Sequence, residues 1–290
     1  MTTNTMTEAA EHPPQPVSPP RSGGEASTAA RLTFARVVRS EWIKLRTLRL
    51  TWTTLAGVLT VLVGFGLLAA TVAGGAASGG PGGPNAGPDD PVSTVLTGAN
   101  LAVLVVGVLG AVIGAREFGS GLIRTTLAAV PSRLPVLWGK AIALGALLVP
   151  VTVGGVLVAF VAGMGILDAR GQATLAWSDP GVARALLGTA TYLVGIGLVG
   201  LALGILMRAT AGAIGVLLGG VLILPSLATA LLPDSWDTVL KLLPSNAAEA
   251  FTSRLPADTL LGSGAGMVVF ALWVVLAVAG AAAALKGRDA

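Results

Sequence analysis

The sequence predicts an all-α integral membrane protein, a six-helix transmembrane bundle preceded by an N-terminal interfacial amphipathic helix. Three observations predict it. The 290-residue chain is 53% hydrophobic and only 11% charged, where soluble domains carry about 25% charged residues; its mean hydropathy is +0.82. Several apolar runs approach ~20 residues, the length at which a helix crosses a bilayer. Lys and Arg gather in alternate connections between those runs, the pattern of the positive-inside rule. The chain has no cysteine, so disulfide and thiolate chemistry are excluded. Arg over Lys, with abundant Ala, Gly, Val and Leu, is the usage of a high-GC bacterial genome and points to a bacterial plasma membrane.

Residues 1–30 are rich in Pro, Ser, Thr, Glu and Gly and include PPQPVSPP. So little apolar surface cannot offset ordering entropy, and the expectation is a disordered cytoplasmic tail. It lacks the apolar core and basic start of a signal peptide. The only histidine, His12, falls here and is given no role.

Residues 31–50 read RLTFARVVRSEWIKLRTLRL. On a helix, Phe34, Ala35, Val38, Trp42 and Leu45 share one side and Arg36, Arg39, Lys44 and Arg46 the other. Glu41 intrudes on the apolar side. The pattern is that of a helix lying in the interface, apolar face and Trp42 in the headgroup boundary, basic face toward anionic lipid. A soluble amphipathic helix ranks lower, because no soluble domain follows for it to pack on.

Six spans follow, at about 51–73, 94–115, 136–167, 182–207, 211–232 and 265–285, forming with the interfacial helix one transmembrane domain over 31–290. The third exceeds what a hydrocarbon core of ~30 Å requires, so it tilts, or bends at Pro150 and the Gly154–Gly155 pair. Arg184 can snorkel from the end of its helix, and Tyr192 can face the bundle. A very short link around Arg208 makes the fourth and fifth spans an antiparallel hairpin. With six spans, every basic-rich segment lies on one side. These are the N-terminal arm, the second connection, the Arg208 link, and the tail with Lys286 and Arg288. The opposite connections hold no Lys or Arg at 73–93, Arg170 alone at 168–181, and Lys241 and Arg254 at 233–263. Both termini are therefore expected to be cytoplasmic.

The outer connections differ in kind. Residues 73–93, with GGPGGPNAGPDDP, read as a flexible linker. Residues 233–263 are too apolar for one and read as one or two short helices dipping into the outer interface, with Trp236 as an anchor. On the inner side, REFGSGLIRTTLAAVPSRLPVLWGK spans Arg116 to Lys140. Gly119 and Gly121 break the preceding helix, and Ser120 can cap a new one. Leu122, Ile123, Thr126 and Leu127 recur at helical spacing, and Pro131 and Pro135 end the segment. The stretch is either a short amphipathic helix on the membrane surface or a solvated loop made basic by topology alone.

Machinery for chemistry is missing from the sequence. Gly139-Lys140 is followed by Ala141 and lacks the earlier glycine of a phosphate loop. No cluster has metal-ligand spacing, no span holds a histidine, and the spans contain almost no acid. Neither cofactor nor metal is expected, the chain is not expected to be an enzyme, and proton-driven transport is disfavoured. Nucleic acid is not an expected partner. Small-residue runs such as GIGLVGLALG point to close helix packing or to oligomerisation.

SEWIKLRTLRLTWTTL before the first span resembles the start of bacterial ATP-binding-cassette (ABC) transporter permeases of the type-2 exporter class. AREFGSGLIRTTLAAVPSRLPVLWGK after the second span, and LPSNAAEAF at 243–251, resemble the same family in the same order. The resemblance runs from about Arg31 through most of the chain. It implies a permease half that works as a homodimer or heterodimer with two separate ATPase subunits. The N-terminal amphipathic helix would be its connecting helix. The segment from Glu117 to Arg133 would be the coupling helix seated on the ATPase. Glu117, Arg124 and Arg133 would pair with partner charges there, and Phe118 and Leu122 would fill a groove. An unidentified cargo, amphipathic, lipid-like or peptidic in preference to a small ion, would cross by alternating access. The other function class compatible with the sequence is a non-transporting scaffold or immunity-type protein that binds a target with its outer loops. An ATPase encoded next door favours the first, and its absence the second.

Overall fold

Each long apolar run forms a helix, because inside a bilayer only a helix satisfies all its backbone N–H and C=O groups within one segment. The computed structural model describes residues 33–73, 90–119, 134–255 and 260–287. The N-terminal tail, most of the 73–93 linker and most of the stretch between the second and third spans lie outside the described residues.

In chain order the helices are α1 (Phe34–Thr47), α2 (Arg49–Val72), α3 (Pro91–Val95), α4 (Ala99–Gly119), α5 (Leu134–Ala169) and α6 (Val182–Met207). They continue with α7 (Thr210–Leu218), α8 (Leu224–Leu231), α9 (Asp237–Leu240), α10 (Pro244–Thr252) and α11 (Ser263–Gly287). A π-helical segment, Gly219–Ile223, joins α7 to α8 and makes them one span. Among the described residues six helices are long and apolar enough to cross a membrane. The chain is an all-α multi-pass membrane protein.

The boundaries differ from the sequence reading in two places. Asp90 caps a separate short helix, accepting from Ser93 N–H at 3.3 Å with Pro91 at the first position, so the second span starts at Ala99, not near residue 94. The third span is one helix of 36 residues with Pro150 inside it, roughly 54 Å long. The helix continues through Pro150 and the Gly154–Gly155 pair without a break. The region 233–263 does form short helices, α9 and α10, after a 3₁₀ turn at Asp234–Trp236, and Trp236 is exposed.

The most extensive packing joins α4 to α6. Small residues make it. A Cβ on Gly110 would collide with the Gly197 carbonyl, and one on Gly204 with that of Ala111. Gly200 meets the Gly107 carbonyl in the same way. The GIGLVGLALG run at 195–204 is thus spent largely inside the subunit, letting two backbones touch where dispersion and close approach replace a hydrophobic driving force. Helices α2 and α5 pack beside this pair, Leu59 and Leu62 lying over Gly155.

Candidate functional site

At the end of the bundle where α2 begins, α1 lies against α5. Its packed side is Val37, Glu41 and Leu45, not the stripe that starts at Phe34 and Ala35, which are exposed. Glu41 is the reason for the rotation. Its carboxylate is buried, yet Oε2 lies 2.9 Å from Lys140 Nζ on α5 and Oε1 lies 2.7 Å from Lys44 Nζ one turn along α1. Lys140 is itself buried. Gly139 lets the helices approach, since a Cβ there would press on Val37. Of the residues expected on the basic face, Arg36, Arg39, Lys44 and Arg46 are exposed, whereas Trp42 is half-buried against the core. The corner into α2 is closed by Trp52, whose Nε1 donates to the Arg46 carbonyl at 2.8 Å.

The second element at this end is the C-terminus of α4. Phe118 packs against the core, and Arg208 Cζ sits 5.3 Å from the centre of its ring, a cation–π geometry. Arg208 occupies the left-handed link between α6 and α7, φ 53°, and its N–H donates to the Gly204 carbonyl. The expected coupling stretch starts here. Leu122, Arg124 and Arg133 lie outside the described residues, as does the side chain of Glu117.

The opposite end of the bundle holds a recess of about 620 Å³. Its walls come from the start of α4, from α6, from the π segment and α8, and from α10. Helix α10 explains why a polar recess exists there. Ala247, Ala248 and Phe251 are buried, Phe251 over Gly188 of α6 and beside Phe270 of α11. On the other side of the helix Ser245, Asn246, Glu249 and Thr252 line the recess. This is LPSNAAEAF folded inward as an amphipathic wall.

Charge in the recess is arranged around Arg254. Its Nε lies 2.7 Å from Asp90 Oδ1, so α10 and α3 are tied across 164 residues. Arg184 does not snorkel away; its guanidinium donates to the carbonyls of Ala250 at 3.2 Å and Arg254 at 3.0 Å, satisfying the end of α10. Tyr192 faces the bundle, edge-on to Phe270 at 5.3 Å, and lines the recess.

Sequence reading missed the recess and the Glu41–Lys140 pair. The available signal for the pair was two opposite charges, each stranded on an apolar face. The signal for the recess was the polar repeat 245, 246, 249, 252 inside an otherwise apolar connection. Compared with protein-family models and with curated proteins, the chain matches none.

Proposed function

We propose that the chain is the membrane-spanning subunit of an ABC exporter, acting as a dimer with a separate ATPase in a bacterial plasma membrane, both termini cytoplasmic. One observation supports this beyond the resemblance. Helix α4 is a single rod whose first turns, at Asn100, Val103 and Leu104, line the recess, and whose last turn, at Phe118, opens the coupling stretch. It is packed backbone to backbone on α6, which likewise contributes Thr189 and Tyr192 to the recess and ends at Arg208 beside Phe118. Two rigid elements that reach both ends are what transmission of a push from an ATPase to a cargo site requires. Such a pair moves as a unit, because a seam of touching backbones cannot deform continuously.

The test is co-expression with the ATP-binding-cassette ATPases of the same genome, followed by affinity capture through this chain. The expected result is a stable complex that hydrolyses ATP, while the chain alone hydrolyses none, since it has no residues to hold the phosphates and metal. Capture of the chain without any ATPase, or robust hydrolysis by the pure chain, would refute the reading.

A further inference from the structure

We propose that the recess between α4, α6, α8 and α10 binds an uncharged, hydroxyl-rich head, a glycosyl or other polyol group, through hydrogen bonds that the ligand donates. The volume, about 620 Å³, is that of a small-ligand site, roughly 300–1,000 Å³. Its charges are already matched inside the protein. Asp90 pairs with Arg254. The Arg184 guanidinium, beside the recess, donates to the carbonyls of Ala250 and Arg254, and Glu249 is engaged within the protein. The carboxylates of Asp90 and Glu249 and the guanidiniums of Arg184 and Arg254 sum to zero charge. A charged head of either sign would bring an unmatched charge in among partly apolar walls, which is costly. An uncharged head brings none.

The polar side chains decide what kind of uncharged head fits. A Ser or Thr hydroxyl has one proton to donate and two lone pairs with which to accept. Around the recess those protons are turned onto backbone carbonyls. Ser93 Oγ donates to the Asp90 carbonyl at 2.8 Å, and Thr97 Oγ1 to that of Ser93 at 3.1 Å. Thr189 donates to Ala185 at 2.8 Å, Ser226 to Leu222 at 3.0 Å and Ser253 to Leu255 at 3.1 Å. All of these hydroxyl residues line the recess. With their protons so placed, they accept from a ligand and do not donate to it. An acceptor-lined recess calls for a donor, and the charge balance calls for an uncharged one. Alcohol groups meet both conditions; ether, ester and phosphate oxygens do not.

Val103, Leu104, Val221 and Leu222 line the recess among these oxygens. A wall of acceptors interleaved with apolar groups suits a pyranose, whose rim carries hydroxyls and whose faces are C–H. Val221 and Leu222 belong to the π segment, the kind of helix interruption that often marks a functional site. Such a head occurs on free sugars and on glycolipids alike, and the experiment separates the two.

That this ligand is cargo rests on the permease reading; that it binds does not. The experiment uses the full chain in micelles of octaethylene glycol dodecyl ether, whose chain oxygens accept hydrogen bonds and do not donate them. The probe is radiolabelled dodecyl glucoside. Its comparators are the permethylated glucoside, which keeps the ring and loses the donors, and dodecyltrimethylammonium and dodecyl sulfate, which carry the two charges. Saturable binding of the glucoside in preference to all three is expected. Ser226→Ala, and Ser93→Ala combined with Thr97→Val, should each weaken it about fivefold, as loss of a neutral hydrogen bond does. The combined variant keeps the cap of α3, because Asp90 accepts from the backbone N–H of Ser93. Absence of saturable glucoside binding, equal binding of the permethylated form, preference for a charged probe, or unchanged binding in both variants overturns the proposal. Should one variant fail to fold, the other still decides. A second arm adds methyl glucoside. Competition at matched concentration identifies a free sugar as the ligand; undiminished binding identifies a glycolipid head. No ATPase enters this assay. Absence of binding leaves the permease reading standing, and binding by a chain that captures no ATPase leaves the site without its transport role.

Discussion

Lys140 Nζ lies 2.9 Å from Glu41 Oε2, joining residues 99 positions apart across the interface of α1 and α5. Both side chains are more than nine-tenths buried. An ion pair so placed gives little net stability over a hydrophobic pair, but removing one partner costs about 3–5 kcal/mol. The expected order of damage follows from the third member. Lys140→Met leaves Glu41 beside Lys44 at 2.7 Å, so it should be mild. Glu41→Ala takes the shared carboxylate from both lysines and should be severe, releasing α1 from the bundle. Thermal unfolding of the purified variants, with protease accessibility of α1, measures this. Glu41→Leu combined with Lys140→Met should recover most of the loss. Equal melting of Glu41→Ala and wild type would show that the pair does not dock α1.

The α4–α6 seam makes a different kind of prediction. Gly110→Ala places a Cβ against the Gly197 carbonyl, and no side-chain rotation can relieve a clash with backbone. A loss of about 1–3 kcal/mol is expected, the usual cost of overpacking. Gly145→Ala on α5 is the control, since a Cβ there meets nothing within 4 Å. It should be neutral, or stabilising by up to about 1 kcal/mol through helix propensity. Melting temperatures of the two variants in the same detergent test the contrast, and similar values would remove the seam from the account.

The bundle itself was legible because hydropathy and span length are read one segment at a time. The fourth span coincides with its expected limits, 182–207, and the Arg208 link is as short as expected. What was not legible depends on pairs distant in sequence. Glu41 looked misplaced on α1 until Lys140 was opposite it. Arg184 looked like a residue escaping to water until the carbonyls of α10 were beside it. GIGLVGLALG indicated close packing but not whether the neighbour was another helix of the same chain or a second copy. From sequence the stripe on α10 is only part of a connection dipping into the outer interface, because its polar side acquires meaning only from Tyr192 and Asn100, which line the same recess.

Topology can be tested through the ion pairs. Asp90 and Arg254 touch, so they must share one side of the membrane. Phe118 and Arg208 must share the other. Reporter fusions near Asp89, Gly171 and Ser245 should all read outside, and fusions at Ala128 and the C-terminus inside. Disagreement between Asp89 and Ser245 would contradict the fold. Joint inversion of all five would contradict only the orientation.

The last prediction concerns the coupling stretch. Phe118 is a poor probe of partner binding, because its ring already engages Arg208 within the subunit. Arg124 and Glu117 are better ones. If the stretch is only a basic loop, its charges serve topology, and Arg124→Lys or Glu117→Gln should do little. If it seats on an ATPase, geometry matters. Arg presents a rigid planar fork that Lys does not reproduce, and an unmatched partner charge at a desolvated contact costs roughly 2–5 kcal/mol. Both variants should then insert normally while co-purifying less ATPase, or while hydrolysing ATP without transport. The measurement is affinity capture with the cognate ATPase alongside a transport or resistance assay. Wild-type partner binding and transport in both variants would return the stretch to a solvated loop. A defect in Arg124→Lys, which keeps the charge, would by itself separate recognition from topology.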